Sequence, residues 1–187
     1  MGRAQVHEPD ARMTREAYRA WAAQQPSGRF ERIGGVVVAM APEGAGHALR
    51  KAAARDALLR EVRQRPLPCQ VFPDGMTIEV GDSDYEPDPV LRCGDRLPDV
   101  SIAVPDPLVI VEVLSPGTSG IDRSVKLRDY FRVPSLQHYL IVWPEVPRIV
   151  RHSRLPGGDV ATEVFTAGPI TLDPPGITVT LEEFYVD

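Results

Sequence analysis

A chain of 187 residues with 43% hydrophobic and 25% charged side chains has enough apolar surface for a full globular core. Its formal net charge of −5 disfavours a broad nucleic-acid-binding surface but leaves room for a narrow basic cleft. No apolar run approaches the roughly 18 residues of a membrane span, and the charged stretch MGRAQVHEPDARMTREAY does not read as a signal peptide.

Thr14 is placed to N-cap a short helix carrying Tyr18 and Trp21 about one turn apart, ended by Gln25-Pro-Ser-Gly28. Arg29–Ala41 reads as two strands around Gly34-Gly35, with Glu31 in the first. After the loop Pro42–Gly46, His47–Arg65 reads as the longest helix, with Ala48, Leu49, Ala52, Ala53, Leu59 and Val62 as its apolar face. Cys69–Phe72 and Met76–Val80 read as strands joined at Pro73-Asp74-Gly75.

Tyr85–Leu91 reads as one extended piece. The prolines on both sides of Asp88 favour an edge or strand-end position. Cys93–Asp106 is mostly loop. Cys69 and Cys93 form no CxxC pair and have no histidine cluster beside them, which disfavours structural zinc. Without an export signal they read as reduced thiols, and the expected location is cytoplasmic.

Leu108–Leu114 is an apolar run interrupted only by Glu112. An ionised carboxylate buried there without a partner would cost several kcal/mol, roughly, so a metal or a basic side chain must meet it. A turn over Ser115–Ile121 leads into a helix, Asp122–Arg132, with Leu127, Tyr130 and Phe131 facing in. His138–Trp143 is a further apolar strand. This strand-helix-strand unit predicts parallel pairing of the two strands and a right-handed crossover. Pro147–Arg154 and Val160–Thr166 read as a peripheral hairpin, with Arg148, Arg151 and Arg154 on a solvated face. Ile177–Leu181 and a turn through Phe184 end the chain. Nothing divides it, so residues 1–187 read as a single α/β domain.

Two carboxylates brought together from adjacent strands suit Mg²⁺ or Mn²⁺, since hard cations prefer oxygen ligands. Asp88 and Glu112 are the candidates. Lys126, one turn into the following helix, can fold back over the strand end, and Glu31 and His47 are polar residues at element edges. An ion pair of Glu112 with Arg123 or Lys126 accounts for the same carboxylate without a metal. The loop Ser115–Gly120 suggests another alternative, a phosphate- or nucleotide-binding module, although neither GxxxxGK[ST] nor GxGxxG is present.

Pro87-Asp88, Glu112-Val113-Leu114 and Lys126 together resemble the PD-(D/E)XK nuclease signature, with the lysine displaced from strand to helix because Leu114 holds its usual place. More closely, the chain resembles the Uma-two family of restriction endonucleases. The likeness runs from Tyr18-Arg-Ala-Trp21 through Phe30-Glu31, His47 and Tyr85-Glu-Pro-Asp88. It is strongest in Ile110-Val-Glu-Val-Leu-Ser-Pro116 with Thr118, Asp122 and Lys126, and continues in Pro134-Ser-Leu-Gln137.

The resemblance implies a restriction-endonuclease-like core, a mixed sheet with flanking helices, that hydrolyses phosphodiester bonds of nucleic acid, DNA first. It implies Mg²⁺ or Mn²⁺ on Asp88, Glu112 and the carbonyl of Val113, and Lys126 as catalytic lysine. Glu31, His47, Ser115, Thr118 and Asp122 would stand near the site. Gly34-Gly35-Val36 replaces an acidic pair common in the family, which weakens the case for a second metal. Cutting two strands is simplest with two sites, so a homodimer is the expected assembly. A member that keeps the fold without catalysis remains the other possibility.

Overall fold

The computed structural model describes residues 12–115 and 120–186, with the side chains of 120–123 outside the description. Helix α1 (Arg15–Ala22) is capped by Thr14, whose hydroxyl accepts from the Ala17 N–H at 3.2 Å. Strands β1 (Phe30–Ile33) and β2 (Val36–Ala39) form the expected antiparallel hairpin. Both turn residues, Gly34 and Gly35, have positive φ, 57° and 85°, which explains the pair of glycines. Helix α2 (Ala45–Gln64) begins ahead of His47, with Gly44 as N-cap.

The apolar face of α2 is rotated from the sequence expectation. Ala53, Ala54, Ala57, Leu58 and Val62 are buried, whereas Ala48, Leu49 and Ala52 are exposed. Two charged residues, Lys51 and Glu61, interrupt the buried stripe, and both are held by ion pairs. Apolar periodicity alone therefore misplaces the face.

Strands β3 (Cys69–Phe72), β4 (Ile78–Val80), β5 (Ser83–Tyr85), β6 (Val90–Cys93) and β7 (Val109–Val113) follow. Helix α3 (Gly120–Tyr130) leads to β8 (His138–Trp143), β9 (Arg148–Arg154) and β10 (Val160–Phe165). The chain then adds β11 (Pro169–Leu172), β12 (Ile177–Thr180) and a 3-10 turn (Leu181–Tyr185). The six-stranded sheet has the order β10-β9-β8-β7-β6-β3, and the four-stranded one β2-β1-β5-β4. As the strand-helix-strand unit requires, β7 and β8 are parallel; the other pairs of the large sheet are antiparallel. Strand β11 has no counterpart in the sequence reading; it pairs with β12 in a separate ribbon.

The two strands flanking Pro73-Asp74-Gly75 do not pair with each other. β3 joins the large sheet and β4 the small one. The extended piece Tyr85–Leu91 likewise divides, its first residue in β5 and its end in β6. Residues 86–89 carry the chain between sheets, and proline on either side of Asp88 suits a segment that leaves one ladder before entering another. Asp88 is thereby set at the seam.

Alternation along β7 sorts the core into two. Val109, Val111 and Val113 pack with Ala54, Leu58 and Val62 of α2, while Ile110 packs with Tyr85, Tyr130 and Tyr139 on the opposite face. Glu112 shares the Ile110 face and so points toward α3 rather than α2. The small sheet is fastened by Asp84, whose carboxylate takes Arg32 at 2.5 Å and Arg15 at 2.6 Å.

Two sequence expectations are corrected. Cys69 and Cys93 are opposite each other in the β3–β6 register and form a disulfide, not two free thiols. The 24 positions between them hid their proximity. Arg154, expected on a solvated face, donates to the carbonyls of Leu136, Phe131 and Val133 at 2.9, 2.9 and 3.0 Å. Arg151 bonds the Thr171 carbonyl and pairs with Glu163. Among the described residues no helix is long and apolar enough to cross a membrane.

Candidate functional site

A cleft of about 1010 Å³ opens where the two sheets and the N-terminal part of α2 meet. Glu31, His47, Asp88, Glu112, Val113, Ser115 and Lys126 all line it. Strand alternation aims Glu112 inward from β7, β1 supplies Glu31, and the intersheet segment supplies Asp88. Lys126 comes from α3. Thr118 and the side chain of Asp122 lie outside the described residues.

Lys126 is the hub of one half. Its Nζ donates to Glu31 Oε1 at 2.9 Å and to Glu112 Oε1 and Oε2 at 3.1 and 3.3 Å. Tyr130, one turn further along α3, donates its hydroxyl to Glu112 Oε1 at 2.7 Å. Burial and the charges of Glu112 and Glu31 hold that phenol well above its ordinary range, so it remains a donor. Glu31 Oε1 also accepts the Glu86 N–H at 3.0 Å. Burial pushes the Glu31 carboxyl up to about 7, aided by the Glu112 charge and opposed by Lys126.

Asp88 organises the other half. Its Oδ2 accepts the Val113 N–H at 2.6 Å, tying the intersheet segment to the end of β7. Its Oδ1 is 3.2 Å from Lys51 Nζ. Burial first, then the Glu112 charge, raise the Asp88 carboxyl to about 6, against the pull of the Val113 N–H and Lys51. His47 reaches the same strand end, with Nε2 2.8 Å from the Val113 carbonyl and Nδ1 2.8 Å from Glu43 Oε1. Ligand atoms of Glu43, His47 and Asp88 lie within 4.8 Å of one another.

The donor chemistry fits a hard divalent cation. Asp88, Glu112 and the Val113 carbonyl offer oxygen atoms at one strand end, with imidazole and a further carboxylate alongside. The ion pair between Glu112 and Lys126, the alternative to a metal, is also formed. The two are compatible, because a carboxylate has lone pairs for both.

Sequence reasoning missed Glu43, Lys51 and Tyr130. The first two were legible in part: His47 and Lys51 stand four apart on α2 and so share one side of it, and Glu43 falls on the same spacing just ahead of the helix. Tyr130 stands four positions after Lys126, but a tyrosine at an inward position reads as core until a buried carboxylate is found beside it.

An α/β fold of the restriction-endonuclease-like type, with carboxylates and a lysine gathered at the end of a central strand, defines the class. The structure matches that of a protein from Anabaena variabilis ATCC 29413 described as "a putative nuclease belonging to DUF820" with a TM-score of 0.74. That match covers 92% of this chain and 97% of the other at 14% identity, and the likeness is one of fold. Residues 15–183 match the Uma2 family model, described as "Putative restriction endonuclease", and the chain belongs to that family. The protein of Synechocystis sp. (strain ATCC 27184 / PCC 6803 / Kazusa) named "Uncharacterized protein slr1290" is 31% identical over 151 residues, 73% of each chain.

Proposed function

We propose that this protein is a divalent-metal-dependent endonuclease that hydrolyses phosphodiester bonds, with DNA as substrate and Mg²⁺ or Mn²⁺ as the ion. The observation that carries the reading is the meeting of Asp88 and Glu112, from separate chain segments, with Lys126 in one cleft. Asp88, Glu112 and the Val113 carbonyl would hold the ion, and Ser115 lines the same cleft. When bound, the ion supplies charge neutralisation at the phosphate and makes water more acidic.

The remaining work belongs to the chain. Asp88 is fixed by the Val113 N–H, so its free lone pairs point into the cleft without loss of rotamer freedom. Water oxygen attacks phosphorus as it gives up one proton, the opposite P–O bond breaks, and the leaving oxygen takes up a proton. The net step moves one proton from the water to the leaving group. Lys126 supplies N–H donors where negative charge develops on the phosphoryl oxygens. Glu31 and Glu112 hold that ammonium in place, and Tyr130 steadies Glu112 from behind. A homodimer would offer two such clefts to a duplex.

The test is cleavage of plasmid and single-stranded DNA by the purified protein in Mg²⁺, Mn²⁺ and EDTA, beside Asp88→Ala. Cutting by the parent that needs the ion and disappears in the variant is the expected result. Absence of cutting, with no divalent-ion binding by calorimetry, would refute the reading and leave Glu112 as a structural ion pair.

A further inference from the structure

Lys51 is a charged residue of this cleft that the nuclease signature does not include. It projects from the first half of α2, its side chain is 9% exposed, and its ammonium meets three carboxylates. The distances are 2.6 Å to Glu43 Oε1, 2.6 Å to Asp74 Oδ2 and 3.2 Å to Asp88 Oδ1. Two of those partners, Glu43 and Asp88, belong with His47 to the group whose ligand atoms lie within 4.8 Å of one another. Its ammonium donates hydrogen bonds to Glu43 and Asp74 and forms an ion pair with Asp88.

We propose that Lys51 is a resident cation standing in for a divalent ion on the Glu43–His47–Asp88 side of the cleft. The proposal deepens the nuclease reading, on which its catalytic consequence rests. A divalent cation binds carboxylate oxygens at roughly 2.0–2.6 Å, so it would compete with the ammonium for the same lone pairs and meet its charge at contact distance. The ion is thereby confined to the Glu112 side of Asp88. Reaction at one ion, with a fixed ammonium in place of a second, follows. Lys51 is on this account a positioning residue, setting how many ions enter and where.

A purely structural lysine would tether α2 to the β3–β4 connection through Asp74, and its loss would lower stability without changing ion binding. Mn²⁺ titration of the metal-free full-length chain by calorimetry separates the two, using the parent, Lys51→Met, Lys51→Gln and Lys51→Arg. Met keeps the aliphatic stem, Gln keeps an N–H donor, and thermal melts establish that each variant is folded. Both neutral variants are expected to bind one Mn²⁺ more per chain than the parent, or the same number about tenfold more tightly. Lys51→Arg should match the parent, and Lys51→Met/Glu43→Gln should lose the gain. Equal stoichiometry and affinity in the parent and both neutral variants, or weaker binding in the variants, overturns the assignment. The comparison is one of binding between parent and variant, so it decides the role of Lys51 even if the parent cleaves nothing. Failure of the nuclease reading shows separately, in the cleavage assay.

Discussion

Replacing Lys126 by methionine isolates the charge at the centre of the site while keeping most of the side-chain volume. In the parent the Lys126 side chain is 7% exposed and its ammonium pairs with Glu31 and Glu112, whose side chains are 6% and 13% exposed. Without it two carboxylates face each other across a poorly solvated space, and removal of one partner from a buried ionic cluster costs about 3–5 kcal/mol. The cost depends on pH. Glu31 is held at about 7 in the folded chain against an ordinary value of 4.5, so folding retains its proton above the pH at which the unfolded chain releases it. The stability tied to that proton is full below about 4.5 and is lost as pH rises through about 7. Lys126 pulls the Glu31 value down; its removal carries the loss to higher pH and deepens it. At pH 5 a protonated Glu31 no longer repels Glu112, and the deficit shrinks to about 1 kcal/mol, a single lost hydrogen bond. Urea denaturation followed by circular dichroism at pH 5 and pH 8 measures both values. An equal loss at the two pH values, or less than about 1 kcal/mol at pH 8, would refute the reasoning. The same variant should bind Mn²⁺ yet fail to cleave.

Reduction of the Cys69–Cys93 disulfide reopens a loop spanning 24 positions and should lower the unfolding free energy by about 2–4 kcal/mol. Urea midpoints with and without a phosphine reductant test this, and identical midpoints would mean the thiols are free in solution. Arg154→Ala leaves three backbone carbonyls without their guanidinium donor and should destabilise the chain by about 2–3 kcal/mol. Its nucleic-acid affinity should match the parent's in a fluorescence anisotropy titration; weaker binding with unchanged stability would restore a phosphate-contacting role.

The local pattern of the chain determined the strand carrying Glu112, the helix carrying Lys126, and the parallel strand His138–Trp143. Each is defined by short-range periodicity and by turn residues at its ends, and a carboxylate amid β-branched residues is anomalous in any fold. The same is true of Gly34-Gly35, whose conformation follows from the hairpin itself. What the chain alone did not reveal depends on which distant segments meet. The passage of residues 86–89 from one sheet to the other sets Asp88 against Val113, and only that crossing brings Lys51, Asp74 and Glu43 around it. Cys69 meets Cys93 because β3 pairs with β6 rather than with its neighbour in sequence. Arg154 turns inward because loop carbonyls near α3 need a donor. Charged side chains at buried positions are invisible to apolar periodicity, since their burial is stabilised by partners that tertiary structure alone supplies.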